Sequence, residues 1–223
     1  MDILYILGTG STWQDNEIRY SLRGIEKNVL DFENVFVVGE KPKWLKNIIH
    51  IPASDSYNSK GPNSFSKIKL ACEDKRLSND FLLMNDDFFI FKKISAENYP
   101  FYYKGITPSF HSVNFAKVLK NVKNFYNFEN HRPFHFKKDL LNYILPIKKL
   151  CPSNPIRSLY GNYYSLRGIF SKDLNLMPLA IKSDYDKMLG DRTDISIFSE
   201  TAKSSVFREW IKEKLPEKSI FEV

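Results

Sequence analysis

Short apolar runs alternate with amphipathic segments through the N-terminal part of the chain. Residues 2–7 (DILYIL) form an apolar run that ends at the loop GTGSTWQDN. In residues 16–28 (NEIRYSLRGIEKN), Ile18, Leu22 and Ile25 fall on one helical face, with Arg19, Arg23 and Glu26 on another. That spacing predicts a helix, with Asp15 or Asn16 as its N-cap. A second strand is expected at 34–38 (NVFVV), closed by Gly39, and a third at 47–51 (NIIHI) after the turn EKPKWLKN. Residues 64–74 (SFSKIKLACED) repeat the helical spacing through Phe65, Ile68 and Cys72. The strand 80–84 (DFLLM) then delivers the chain to Asn85, Asp86 and Asp87.

Strands alternating with helices predict an α/β fold, a mainly parallel sheet flanked by helices. In such sheets ligands sit beyond the carboxyl ends of the strands. The glycine loop after the first strand and the NDD triplet both lie at strand C-termini, so they should be neighbours. The second half reads differently. Residues 112–126 and 137–149 look helical and basic, 157–170 is rich in Tyr, and 203–214 (KSSVFREWIKEK) predicts a final helix. With no low-complexity linker, the expectation is one domain over 1–223, an α/β half at 1–105 followed by a mostly helical half at 106–223. YSLRGI occurs at both 20–25 and 164–169, but the flanking residues do not match and no repeat fold follows.

A composition of 43% hydrophobic and 26% charged residues is that of a folded protein and excludes a disordered chain. No stretch is apolar for long enough to span a bilayer, and the opening MDILYILGTGSTW lacks a basic leader. Cys72 and Cys151 stand far apart in no metal-binding spacing, which fits a reducing, cytoplasmic setting. The net charge of +7 allows an anionic partner, such as a nucleotide diphosphate, a phosphorylated glycan, nucleic acid or a membrane surface. Because the lysines are spread along the chain, a solvated basic surface accounts for it equally well.

The NDD triplet carries the sharpest chemistry. Two adjacent acids at the end of a buried strand offer hard oxygen ligands of the kind Mg²⁺ and Mn²⁺ share with phosphates. The plainer alternative is a turn in which Asn or Asp caps a bend. Gly8, Thr9 and Gly10 offer backbone N–H groups to a phosphate or ribose, although the loop matches neither dinucleotide nor P-loop fingerprints and serves equally as an ordinary strand-to-helix turn. Arg19 and Arg23, four residues apart on one helical face, suit a diphosphate, or else Arg23 pairs locally with Glu26. In ENHRPFHF, His131 is a candidate general base, whereas His135 sits among Phe134 and Phe136 as a packed side chain. His50 reads as structural, and His111 has no supporting context. The YGNYYSL stretch stacks on sugars or bases, or simply fills a core.

Taken together, DILYILGTGSTWQDNEIRYSLRGIEKN, VFVVGEKPKWL and LLMNDDFFI resemble the Stealth-type sugar-phosphate transferases of capsular polysaccharide synthesis. That family shows a DIVYTWVDG strand, an ELRYSLRSIEK helix, a YIVT…PxWL segment and an FLYLNDD strand. The order and approximate spacing agree over about residues 2–95. HRPFHFKKDLL looks like the family's H-x-P segment, and LPEKSIFE is similar to its frequent ending. The resemblance implies a fold like that of the GT-A glycosyltransferases, a nucleotide-diphosphate-sugar donor and a divalent cation, Mn²⁺ or Mg²⁺. By position, Asp86 and Asp87 would hold the metal and diphosphate, Arg19 and Arg23 would face the donor, and His131 would stand in the active site. One departure is that LGTG replaces WVDG, which removes an acid from the first strand end.

The expected activity is therefore metal-dependent transfer of a sugar to an acceptor hydroxyl, with catalytic roles for Asp87 and His131. Gly8, Thr9, Gly10, Arg19, Arg23, Lys67 and Asn85 are the expected donor contacts. The acceptor is a glycan or another hydroxyl compound, a modified DNA base being one variant. Sugar-1-phosphate transfer uses the same donor and breaks a different bond. A binding module without catalysis is the alternative that the missing acid in LGTG raises.

Overall fold

The computed structural model describes residues 1–107, 125–150 and 156–223. His111, Cys151 and nearly all of the helix expected over 112–126 lie outside the described residues. In chain order the main elements begin with strand β1 (Asp2–Leu7), helix α1 (Asn16–Asn28), strand β2 (Val35–Gly39), strand β3 (Ile49–Pro52) and helix α2 (Lys60–Glu73). Strands β4 (Asp80–Asn85), β5 (Phe88–Ile90) and β6 (Phe134–Lys137) follow, then helices α3 (Lys138–Leu150) and α4 (Ile156–Tyr163). Strand β7 (Asn175–Leu176), helix α5 (Lys182–Leu189), strand β8 (Asp194–Ile197) and helices α6 (Ser199–Lys203) and α7 (Ser205–Lys214) complete the chain.

The central sheet has the order β6-β4-β1-β2-β3. Its first four strands in sequence are mutually parallel, and β6 joins antiparallel at the edge, with Phe134 opposite Leu83 and Phe136 opposite Phe81. This is a mixed α/β, Rossmann-like architecture with a mainly parallel sheet flanked by helices. The alternation of side chains along each strand explains its two covered faces. Ile3, Tyr5, Leu7, Leu82 and Met84 pack with Ile18, Leu22 and Ile25 of α1 on one face. Leu4, Phe81, Leu83, Phe134 and Phe136 pack with Ile68 and Ala71 of α2 and with Leu141 and Ile144 of α3 on the other. A third core gathers Trp13, Phe89, Ile195, Ile197, Phe207 and Trp210 around β8 and the C-terminal helices.

The second half of the chain carries five of the seven described helices, and it also contributes strands. β6 extends the central sheet, while β8 pairs antiparallel with β5 and parallel with β7. Among the described residues no helix is long and apolar enough to cross a membrane.

Two sequence expectations around α1 need correction. Asp15 does occupy the N-cap position, but in a left-handed conformation, φ 58°, with no capping bond from its side chain; Asn16 donates to the Trp13 carbonyl at 2.6 Å. The α1 entrance is organised by Ser11, whose hydroxyl accepts from the Trp13 and Asp15 amides (3.2 and 2.7 Å) and donates to Glu17 Oε2 at 2.8 Å. Arg23 does not form the pair with Glu26, and both arginines of α1 face Glu222. Arg23 clasps the buried Glu222 carboxylate through two bonds of 2.7 and 2.8 Å and also donates to the Leu215 and Pro216 carbonyls. Arg19 lies over the Trp44 ring at 4.4 Å, with its Nε 3.8 Å from the same carboxylate. Glu26 accepts from the Ile220 amide instead.

Removing one partner of a buried ion pair leaves the other charge uncompensated and is strongly destabilising, whereas an exposed pair contributes little. Glu222→Gln is therefore expected to lower unfolding stability by about 3 kcal/mol. Glu73→Gln, which breaks the exposed Lys69–Glu73 pair, should change it by less than about 0.5 kcal/mol. Urea unfolding of both variants checks this, and equal effects would contradict the clamp.

Candidate active site

The strand order places a topological switch point between β1 and β4. From β1 the chain passes through α1 to β2 on one side, and from β3 it returns through α2 to β4 on the other. The carboxyl ends of these two adjacent strands are thereby left with a crevice between them. Ile6 pairs with Asn85 at that rim, and Leu7 with Gly39. Gly39 has φ +118°, and a Cβ there would fall 1.9 Å from the Leu7 carbonyl oxygen, so only glycine allows the strand ends to approach this closely.

The acids occupy the turn between β4 and β5, and both flanks of that turn are fixed. Upstream, Phe81 to Met84 are buried within the sheet. Downstream, the Phe88 carbonyl accepts from Ser21 Oγ and the Ile90 carbonyl accepts from Asn28 Nδ2 at 2.8 Å. Gly24 completes this seat: a Cβ on it would meet the Ile90 carbonyl oxygen at 2.8 Å, so α1 and β5 pack backbone to backbone there. The apolar run interrupted by NDD is thus two buried strands meeting at an acidic turn.

The cleft above this turn has two lobes of about 310 and 350 Å³. They share Gly10, Ser11, Lys60, Asn85, Asp86 and Asp87. The first lobe adds Gly8, Thr9, Asp55, Asn63, Ser64 and Lys67, and the second adds Glu17, His131, Asn175, Ile197 and Phe198. Gly8, Thr9, Gly10, Lys67, Asn85, Asp86, Asp87 and His131 are therefore brought together, while Arg19 and Arg23 line neither lobe and belong to the Glu222 clamp.

Lys67 is buried in the floor of the first lobe, where it donates to the Leu7 carbonyl at 2.9 Å and to Asp55 Oδ1 at 2.6 Å. The hydrogen bond from Lys67 holds the Asp55 carboxyl below its ordinary range. Asp55 also accepts from the Thr9 amide at 3.4 Å, so the pair ties the glycine loop to α2.

Asp86 and Asp87 are half-buried and lack such compensation. Burial, then the neighbouring Asp87 and Glu17 charges, push the Asp86 carboxyl upward. Burial also raises Asp87, against the opposing pull of His131 and Arg157. Asp87 Oδ1 is buried without a hydrogen-bond partner. Buried acids without partners are the arrangement that a cation relieves. Among the described residues no group of three or more His, Cys, Asp or Glu side chains is arranged to hold a metal ion. Mg²⁺ is commonly held by one or two carboxylates and completed by substrate phosphates.

Several cleft residues went unmarked in the sequence. Glu17 is an acid in the first turn of α1, a position otherwise explained by the helix dipole. Lys60, Asp55 and Asn175 are single polar residues in unpatterned segments. Asp173, which accepts from the His131 backbone amide at 3.0 Å and lies 2.8 Å from its Nδ1, is distant in sequence. The other two described histidines are engaged elsewhere: His50 Nε2 lies 2.8 Å from the Gly39 carbonyl oxygen, and His135 Nε2 lies 3.0 Å from Asp80.

No protein-family model matches this chain, and no curated protein matches its sequence. Among solved structures, 4-diphosphocytidyl-2C-methyl-D-erythritol synthase from Anaerococcus prevotii DSM 20548 is similar over 77% of this chain and 86% of that one, with a TM-score of 0.41 and 13% identity. What the cleft can do follows from its own side chains.

An acid whose folded pKa is raised contributes stability below its unfolded pKa, and that contribution is lost as pH rises through the folded value. Asp86 and Asp87 therefore weaken the metal-free fold at neutral pH. In EDTA at pH 7, Asp87→Asn should raise stability by on the order of 1 kcal/mol, with the gain fading toward about pH 4, where the wild-type carboxyls are protonated. Thermal unfolding at both pH values checks this, and a loss of stability at pH 7 would contradict it.

Proposed function

We propose that this protein is a nucleotide-diphosphate-sugar-dependent transferase that moves the sugar to an acceptor hydroxyl with Mg²⁺ or Mn²⁺ held at Asp86 and Asp87. The observation that carries this reading is the pair of poorly compensated acids in a fixed turn at the switch point, with Asp87 Oδ1 unpartnered. The likeness of the NDD strand and its neighbouring segments to the Stealth-type transferases supports the same chemistry.

In this reading the diphosphate lies across the first lobe. The Gly8–Gly10 loop provides close backbone approach there, and Lys60 supplies a cation at the rim. Lys67, already paired with Asp55, shapes the floor and does not act as a free charge. When bound, a divalent cation supplies electrostatic stabilisation to the departing diphosphate. Asp86 and Asp87 would hold it, Asn85 would line the donor beside them, and His131 would take the proton from the acceptor hydroxyl. The acid missing from LGTG leaves these two carboxylates as the strand-end acids of the site.

Sugar-1-phosphate transfer shares the donor and the acids, and its products separate it from glycosyl transfer. Incubation with UDP-, GDP- and ADP-sugars, Mn²⁺ and simple glycosides is expected to release nucleoside diphosphate. Nucleoside monophosphate from a diphosphate donor would assign phosphotransfer instead. Binding of donors without turnover on any acceptor would assign a binding module. Turnover that requires duplex DNA and falls steeply with salt would assign a DNA acceptor. Asp86→Asn and Asp87→Asn should each lower metal-dependent turnover by at least about 100-fold, and wild-type turnover in both would overturn the role of the acids.

A further inference from the structure

We infer that the second lobe of the cleft is the acceptor subsite, walled by Phe198 and Asn175, and that Asp173 is a positioning residue that presents His131 Nε2 to the acceptor hydroxyl. This rests on the transferase reading above and holds whichever bond of the donor breaks.

His131 is fixed twice by one carboxylate. Its amide donates to Asp173 Oδ1 at 3.0 Å, and its ring Nδ1 lies 2.8 Å from Asp173 Oδ2. Lys104 Nζ donates to the same Oδ2 at 2.9 Å. Partial burial opposes ionisation of Asp173, but the bonds from His131 and Lys104 outweigh it and hold the carboxyl well below its usual range. An ionised carboxylate only accepts, so in the neutral imidazole the hydrogen resides on Nδ1 and the lone pair on Nε2. Nε2 has no hydrogen-bond partner among the described residues, and the ring, 41% exposed, lines the second lobe with Asp86 and Asp87. The charged groups around this ring are Asp173, which it contacts, Lys104 on the same carboxylate, Asp86, Asp87, Glu17 and Lys60, which line the same lobe, and Arg157, which acts on Asp87 and Asp173.

The lining beside His131 is of a different kind. Phe198 has its ring centroid 6.4 Å from that of His131 and stands beside Ile197 and Ala202. Asn175 lines the same lobe with a buried Oδ1 that has no hydrogen-bond partner. An apolar and aromatic face next to an unsatisfied acceptor fits a ring that offers C–H groups on one side and hydroxyl donors at its edge, the chemistry of a sugar. The acids lie at the junction of the two lobes, so an acceptor here and a donor in the first lobe meet across them. The acceptor O–H bond gives its proton to His131 Nε2, and the oxygen forms a bond to the anomeric carbon. The bond from that carbon to the diphosphate oxygen breaks, and its electron pair leaves with the diphosphate. If phosphorus is attacked instead, the proton takes the same path and nucleoside monophosphate leaves.

The full chain labelled with ¹⁵N-histidine reports the tautomer directly, with His131 assigned by comparison with His131→Gln. The wild type is expected to show the hydrogen on Nδ1, and Asp173→Asn to move the population toward Nε2–H. Methyl glucoside, methyl galactoside and methyl N-acetylglucosaminide at millimolar concentration are the acceptor probes. At least one should shift the His131 resonances in the wild type, with the shift lost in Phe198→Ala. In the transfer assay, Asp173→Asn should lower kcat by at least about 100-fold with acceptor KM unchanged, while the Kd for UDP and GDP with Mn²⁺ stays the same. An Nε2–H tautomer in the wild type, or no glycoside shifting His131, overturns the inference even if Asp173→Asn fails to fold. If no donor is turned over at all, the transferase reading fails, while the tautomer and glycoside titration still decide whether this lobe is a sugar site.

Discussion

The seating of the Asp86–Asp87 turn against α1 is the constraint on which the rest of the site depends. Two carboxylates cannot sit at the mouth of a buried sheet unless the backbone around them leaves the chain no cheaper place to put them. Here β4 enters the turn paired with β1 up to Asn85, and β5 leaves it bound to Ser21 and Asn28 of α1. Gly24 lets the β5 backbone lie directly on the helix. The side chains of α1 that look unremarkable in a hydropathy plot are thus what hold the acids in position. A turn free to relax would move its acids into water and lose the raised pKa values that mark them.

The same helix joins the site to the far end of the chain. Its opposite edge carries Arg19 and Arg23, which converge on Glu222 and bring the C-terminal segment back beside Trp44. The RYSLR helix and the SIFE ending meet in that clamp. The arginines are far more useful there than as free cations, because a buried carboxylate needs them. Cations near the first lobe come instead from Lys60 and from Lys67, which is paired with Asp55.

Most of the central sheet was legible in the sequence. DILYIL, NVFVV, NIIHI and DFLLM announce strands by apolar content, and Ile18, Leu22 and Ile25 announce α1 by spacing; the observed elements lie within a few residues of those expectations. The strand-end placement of the glycine loop and the acids followed from the alternation alone. Other features could not be found this way. FHFK, DISI and the short FFI become strands only because β4, β5 and β8 supply partners from distant parts of the chain. Asp173 is a single acid in a polar stretch, and only the fold brings it against His131. Glu222 lies 199 residues from Arg23. Periodicity reports which face of an element is covered; it carries no information on which distant charge completes a buried one.

The function of the cleft turns on whether the paired acids hold a cation together with a nucleotide diphosphate. Titration calorimetry of UDP and GDP into the wild type, Asp86→Asn and Asp87→Asn, each with and without Mn²⁺, measures this most directly. Binding in the wild type should tighten by at least about 10-fold when Mn²⁺ is present, roughly 1.4 kcal/mol, and that gain should disappear in both variants. Equal affinity with and without Mn²⁺ in the wild type, or an undiminished gain in the variants, would contradict it.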